Sequence, residues 1–284
     1  MHRSLYLTLL VVLACSTALA DDAKQYTLRY KLAMGDVLRW DVDHRASIRS
    51  TMEGKTQEAQ TRSDSVKAWK VVDVLPGGDI EFLNLVEEIQ MTNRLPERAE
   101  MAYDSTSGET PPPGFEDAAK AVGVPLSQVR MTPWGKVVNR TEKHHQPAAD
   151  NTAPITVLLP EKPVAIGDTW DEPLDIAVKT AEGGTKQIET RRHYQLKSVT
   201  GQIATIEAAH QVLTPIDAHI EAQLAQRLLV GVIRLDMQKG RIVEQDFDVD
   251  KRVLGFAGPT SSMHYVMKLR EKLLDGREDV ARKP

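Results

Sequence analysis

The chain contains one cysteine, Cys15, among 284 residues. A disulfide framework is thereby excluded, so an ordinary hydrophobic core must hold the fold together. Aromatic residues supply only 5% of the composition, too sparse a stock to suggest a carbohydrate platform or a base-stacking surface. No block of like charge occurs either: 36 basic and 40 acidic residues are mixed along the whole length. Nucleic-acid binding through counterion release needs clustered lysine and arginine, which removes nucleic acid as a partner. After the N-terminal stretch no segment approaches ~18 uninterrupted apolar residues, so no transmembrane helix is expected in the mature chain.

Recognisable catalytic and cofactor signatures are also missing. There is no Gly-x-Ser-x-Gly elbow, no His-Glu-x-x-His, no glycine loop for phosphate and no cysteine nucleophile in the mature chain. No catalytic residue, metal ligand or cofactor is assigned. Asp246, Asp248 and Asp250 superficially suggest a calcium loop. An EF-hand needs glycine at its sixth position and glutamate at its twelfth, where this chain has Lys251 and Ala257. The three aspartates read better as the wet face of a strand that turns Phe247 and Val249 inward. Adjacent His144 and His145 point opposite ways on an extended chain, which disfavours a shared ion. His193, His210, His219 and His264 are scattered. Glu87-Glu88 has the composition of an acid–base pair, but that chemistry needs two different environments, and a solvated strand end is the simpler reading.

What the chain does have begins at its N-terminus. Arg3 is followed by the apolar run Leu5 to Ala14, and Ala18-Leu19-Ala20 precedes Asp21-Asp22. Charged start, short apolar region and small-residue site stand in the order of a secretory leader. Residues 1–20 are therefore expected to be a signal peptide cleaved after Ala20, giving a periplasmic or secreted protein. Loss of Arg3 takes the formal charge one unit below −4. Within the leader, Val12-Leu13-Ala14-Cys15 resembles a bacterial lipobox, which makes Cys15 a candidate lipidation site and a membrane-anchored lipoprotein the alternative product.

The remainder echoes itself. Met34-Gly35-Asp36 has a counterpart in Ile166-Gly167-Asp168, and Glu53-Gly54-Lys55-Thr56 in Glu182-Gly183-Gly184-Thr185. Trp69 to Val74 is matched by Tyr194 to Val199, and Met131 to Val138 by Met237 to Val243. An internal duplication predicts that Trp69 and Tyr194 occupy equivalent places, as do Gly135 and Gly240. The apolar period is two: Leu38, Trp40 and Val42 alternate with Arg39, Asp41 and Asp43, the pattern of antiparallel sheet with one buried face. Phe115, Ala118, Ala119 and Val122 mark one short helix after Pro111-Pro112-Pro113-Gly114, and Ile220, Leu224 and Leu228 mark a second. Residues 262–274 carry both patterns, with strand favoured. The expected architecture is a β-dominated α+β protein of two similar antiparallel-sheet halves, each with about one helix. The first half spans 21–142, a linker 143–158, the second half 159–274 and a polar tail 275–284.

The most distinctive stretch is Leu159-Pro160-Glu161-Lys162-Pro163-Val164-Ala165-Ile166-Gly167-Asp168-Thr169-Trp170. Its prolines set an extended entry, Gly167-Asp168 a turn and Trp170 an anchor. It reads as a lid on the second half's core, with a ligand-contacting Trp170 as the lesser alternative. In this segment, with the early Gly-Asp and the late Gly-Arg-Ile-Val hairpin, the chain resembles a family of uncharacterised secreted bacterial proteins. The resemblance covers most of residues 26–274 and implies a fold without implying an activity. More loosely, the chain resembles lipoprotein-carrier half-barrels, which implies a curved sheet around an apolar cavity. Three functions follow as expectations: an exported non-catalytic binding or envelope-interaction protein, a carrier of a hydrophobic ligand or lipid, or an extracytoplasmic hydrolase.

Overall fold

A computed structural model describes residues 24–144 and 155–274. The leader with Cys15 and Ala20, the middle of the expected linker with His145, and the tail 275–284 lie outside the described residues. In chain order the elements are β1 (Val37–Met52), β2 (Lys55–Val74), β3 (Ile80–Arg94), β4 (Met101–Asp104), α1 (Glu116–Ala121), β5 (Pro125–Met131) and β6 (Val137–Glu142). There follow β7 (Thr169–Lys179), β8 (Thr185–Thr200), β9 (Ile203–Val212), α2 (Ala218–Leu224), β10 (Val230–Asp236), β11 (Arg241–Leu254) and β12 (Ser262–Leu273). Alternation builds them: in β1, Leu38, Trp40 and Val42 are buried while the residues between them are not. The ambiguous stretch at 262–274 is strand.

The expectation of an α+β protein in two sheet halves is overturned. All strands join one 12-stranded sheet in the order β6-β5-β3-β2-β1-β12-β11-β10-β9-β8-β7, with β4 beside β3. Its strand pairings are antiparallel throughout. The α-helices have only 6 and 7 residues, so the described residues are β-dominated with two short α-helices. The physical cause is the long outer edge of β1. Left open, its N–H and C=O groups would invite unwanted pairing; β12 covers it instead, from Trp40 opposite Leu273 to Thr51 opposite Ser262.

The sheet is strongly curled. Its main core joins Trp69, Phe82 and Val129 of β2, β3 and β5 to Tyr194, Ile206 and Ile233 of β8, β9 and β10. In a flat sheet with strands ~4.8 Å apart, β3 and β8 would stand roughly 34 Å from each other. Two extended segments fill the space inside the curl, one through Leu28, Tyr30 and Leu32, the other through Val157, Leu159 and Val164. They pair once, Tyr26 donating to the Val164 carbonyl (2.8 Å) and Val164 to that of Tyr26 (3.0 Å). Further along the strands, α2 packs Ile220 and Leu224 on Ile176, Val178 and Ile188. Asp217 caps this helix by accepting from the Ile220 N–H at 2.9 Å, as N-cap aspartates do.

One turn is built twice. Asp36 Oδ2 accepts from Ala33 N at 2.9 Å and Asp168 Oδ2 from Ala165 N at 2.8 Å. Gly35 and Gly167, with φ of 89° and 98°, donate to the carbonyls of Val71 and Leu196. Just beyond those carbonyls β2 and β8 slip register, between Val71 and Asp73 and between Leu196 and Ser198. Trp69 opposite Leu38 and Tyr194 opposite Trp170 stand at matching register positions. Gly135 and Gly240 each lie two residues before the position that pairs with Met131 or Leu235. No helix among the described residues is long and apolar enough to cross a membrane.

Candidate functional site: a cleft between the sheet edges

β6 and β7 are the two ends of the strand order, yet residues of both line one cleft of about 590 Å³. The curl brings them together. Val137 and Arg140 come from β6, and Trp170, Glu172 and Leu174 from β7. The segment 155–161 runs along the cleft, contributing Ile155, Leu158, Leu159 and Pro160, and Trp134 stands beside it.

This segment is a strap with many fastenings. Leu159 N donates to the Trp134 carbonyl at 2.8 Å, and Trp170 Nε1 donates to the Leu158 carbonyl at 2.9 Å. The Tyr30 hydroxyl donates to the Val157 carbonyl (3.3 Å) and accepts from the Val157 N–H (3.2 Å). Thr156 Oγ1 donates to the Gly135 carbonyl at 2.5 Å. Arg29 donates to the Pro160 and Glu161 carbonyls at 2.9 and 2.5 Å and lies 5.2 Å from the centre of the Trp134 ring. The stretch expected to be a lid therefore belongs to the main core, and Trp170 stands at the cleft.

One side of the cleft carries a polar network. The Tyr194 hydroxyl donates to Glu172 Oε2 at 2.9 Å, and Arg192 Nη1 donates to the Tyr194 hydroxyl at 3.4 Å. Arg192 also lies 3.6 Å from the Glu172 carboxylate. Burial pushes the Tyr194 hydroxyl well above the ordinary tyrosine range, outweighing the pull of Arg192, so it remains a neutral donor at physiological pH. Burial does the same to Tyr30. The Tyr194 ring stacks on Trp170 with centroids 5.5 Å apart and planes 13° apart. The result is a trough of mixed lining in which Glu172, held by Tyr194 and Arg192, stands on one wall.

The other sequence candidates do not converge, although His193 touches the cleft through Asp171. In β11, Asp248 and Asp250 are exposed while Val249 is buried. Asp246 pairs with Arg270 (3.1 Å) and Asp250 with His264 (2.7 Å). His193 pairs with Asp171 at 2.6 Å, and His210 hydrogen-bonds Thr190 Oγ1 at 3.1 Å. Glu87 is not at a strand end: it sits within β3 and pairs with Arg39 at 2.6 Å and Lys70 at 3.5 Å. Burial pushes its carboxyl up, but hydrogen bonding and charge from Arg39, with Lys70, hold it below the usual range. Among the described residues no group of three His, Cys, Asp or Glu could hold a metal ion. Sequence reasoning missed Glu172, Leu174, Val137 and Arg140. The trace of the first was present: Trp170, Glu172, Leu174, Ile176 and Val178 form one period-two series, and a lone carboxylate interrupts it.

No family model matches the chain, and no curated protein does. Among solved structures, it is similar to a DUF1329 family protein from Desulfovibrio piger, with 12% identity over 86% of this chain and 87% of that one and a TM-score of 0.16. It is also similar to MucB in a complex with MucA(peri), with 7% identity over 82% of this chain and 89% of that one and a TM-score of 0.11. At these scores neither likeness carries an argument about function.

Proposed function

We propose that the protein is an exported, non-catalytic binding protein whose ligand seat is the cleft between β6 and β7, and that it carries a molecule with an apolar body and one polar end. The observation that carries this reading is the cleft itself. Ligand sites are typically concave and mostly apolar, a few hundred Å³ or more in volume, with a small number of placed polar groups; here Trp134, Leu158, Trp170 and Leu174 supply apolar wall, Glu172 is a polar group fixed by Tyr194 and Arg192, and Lys136, Arg140, Glu161 and Asp171 add charge along the lining. Glu172 is held by Tyr194 and Arg192, which suits recognition better than proton transfer to a substrate. The leader pattern of residues 1–20 supports action outside the cytoplasm.

Titration with a dansylated fatty acid tests the reading. Val137 is exposed and lines the cleft, so Val137→Glu should leave the fold intact and put a charge beside the apolar body. Probe binding by the unaltered protein, weakened about tenfold or more by Val137→Glu, is expected from the cost of placing a carboxylate against apolar surface. Equal binding by both proteins would remove the cleft as the seat.

A further inference from the structure

At the end of the sheet away from the strap, β11 runs out, β12 begins and β1 ends side by side. Their register sets Arg252 directly opposite His264, and His264 directly opposite Arg49. One row further out stand Leu254, Ser262 and Thr51. Val253 and Met263, which alternate with these residues, are buried in a small core cluster. Alternation therefore sends both rows to the outer face of the sheet. There they line a depression of about 300 Å³. Its lining holds two arginines, a histidine and two hydroxyls, with Leu254 and Met263, and no carboxylate.

Basic side chains in directly opposed positions disfavour a sheet unless something offsets their charge. Elsewhere on this face the fold supplies the offset. Arg45 pairs with Asp43 at 2.8 Å, Arg62 with Asp64 at 3.0 Å and Arg270 with Asp246 at 3.1 Å. Arg49 and Arg252 are exposed and have no ion pair or side-chain hydrogen bond among the described residues. The carboxylates beside this row in register are already taken. Asp250 Oδ1 lies 2.7 Å from His264 Nε2 and fixes that ring. Glu58, opposite Arg49, accepts from Gln60 Nε2 at 2.7 Å.

We propose that this depression is a second binding site, for a phosphate monoester group gripped between Arg49 and Arg252, with the Ser262 and Thr51 hydroxyls beside it. β11 and β1 lie two strand spacings, about 10 Å, apart, a gap that two long arginine side chains close over His264. Each guanidinium presents a planar fork of donors that meets two phosphate oxygens at once. A phosphate has oxygens for both forks, whereas a carboxylate is satisfied by one. Leu254, 75% exposed, stands at the edge and offers apolar contact to whatever carries the phosphate. The site shares no residue with the cleft, so the proposal is independent of it.

The test is an NMR titration of the protein, exported and processed by its host, with glycerol phosphate at constant ionic strength. Saturable shifts at the adjoining ends of β11, β12 and β1 are expected, with affinity weakened about tenfold or more by Arg49→Gln and likewise by Arg252→Gln. Arg94→Gln is the control. Arg94 is an exposed arginine at the end of β3, also without an ion pair among the described residues, and its loss removes the same charge from outside the row. It should leave binding unchanged. Dihexanoyl phosphatidic acid, titrated in parallel, identifies the source of the phosphate. Tighter binding that Leu254→Ser abolishes marks a lipid headgroup, and equal binding marks a free phosphate compound. Absence of saturable binding by both probes, or an equal loss from Arg94→Gln and the two row variants, would overturn the proposal. Val137→Glu should bind glycerol phosphate normally, which separates failure here from failure of the cleft reading.

Discussion

Gly135 is the residue on which the strap's position rests most directly. Its φ is 83°, and a Cβ there would collide with the Val157 carbonyl oxygen and the Tyr30 ring. Only a residue without a side chain lets the strap lie this close. Gly135→Ala should therefore cost about 2 kcal/mol or more, from left-handed strain plus displacement of the strap, as read by urea denaturation. Gly201 offers the comparison: its φ is 58° and nothing lies within 4 Å of a Cβ there, so Gly201→Ala should cost only the strain. Equal losses would contradict the steric account. The Gly-Asp pairs were readable at this scale, because a glycine that must take positive φ and an aspartate that closes a turn leave a local mark. The tight contact at Gly135 was not, since it depends on a partner 22 residues away in the chain.

Two histidines set a pH dependence. Burial lowers the pKa of His44 and of His210, and Arg192 lowers the latter further. The fold therefore favours their neutral forms, while the unfolded chain titrates near the ordinary value of about 6.5. Below that pH the unfolded chain binds more protons than the folded one. The histidine contribution is thus present above about pH 6.5 and is lost as the pH falls through the folded values. Thermal unfolding between about pH 7.5 and 5.5 should show this loss, and His44→Gln with His210→Gln should flatten it. An unchanged slope would remove these two residues as the cause.

At the scale of elements, alternation located most strands, because a half-buried strand records its inner face in its own residues. It did not record neighbours. β1 pairs with β12 through contacts more than 200 residues apart in sequence, and nothing in either strand specifies the other. That is why two separate halves were expected where one sheet exists. The two short helices stand where the apolar stripes around Phe115 and Ile220 placed them, but at 6 and 7 residues they carry too little of the fold to make it α+β. β7 shows how an outer strand can remain an edge. Pro173 lies in its middle, and proline cannot donate to a further strand. Asp171 and Asp175 flank it with charge, a common protection of exposed edges. The β7 side of the cleft is therefore better suited to side-chain recognition than to accepting an added strand.

At the scale of the molecule, function depends on the curl. Only a sheet bent far enough to bring its first and last strands to one cleft can place Val137 and Arg140 near Trp170 and Glu172. That closure is a property of all the strand pairings together, which is why neither the cleft nor its lining residues could be assembled from motifs. Trp170 was visible as an anchor, yet its place at the cleft follows from the strap and from the meeting of β6 and β7. Native mass spectrometry of the protein purified gently from its own cell envelope tests the central claim most directly. The account predicts a protein mass accompanied by a co-purifying apolar molecule, retained by the unaltered chain and lost from Val137→Glu. A bare protein mass in both cases, or a bound molecule that Val137→Glu retains equally, would contradict the cleft as the place where this protein holds its ligand.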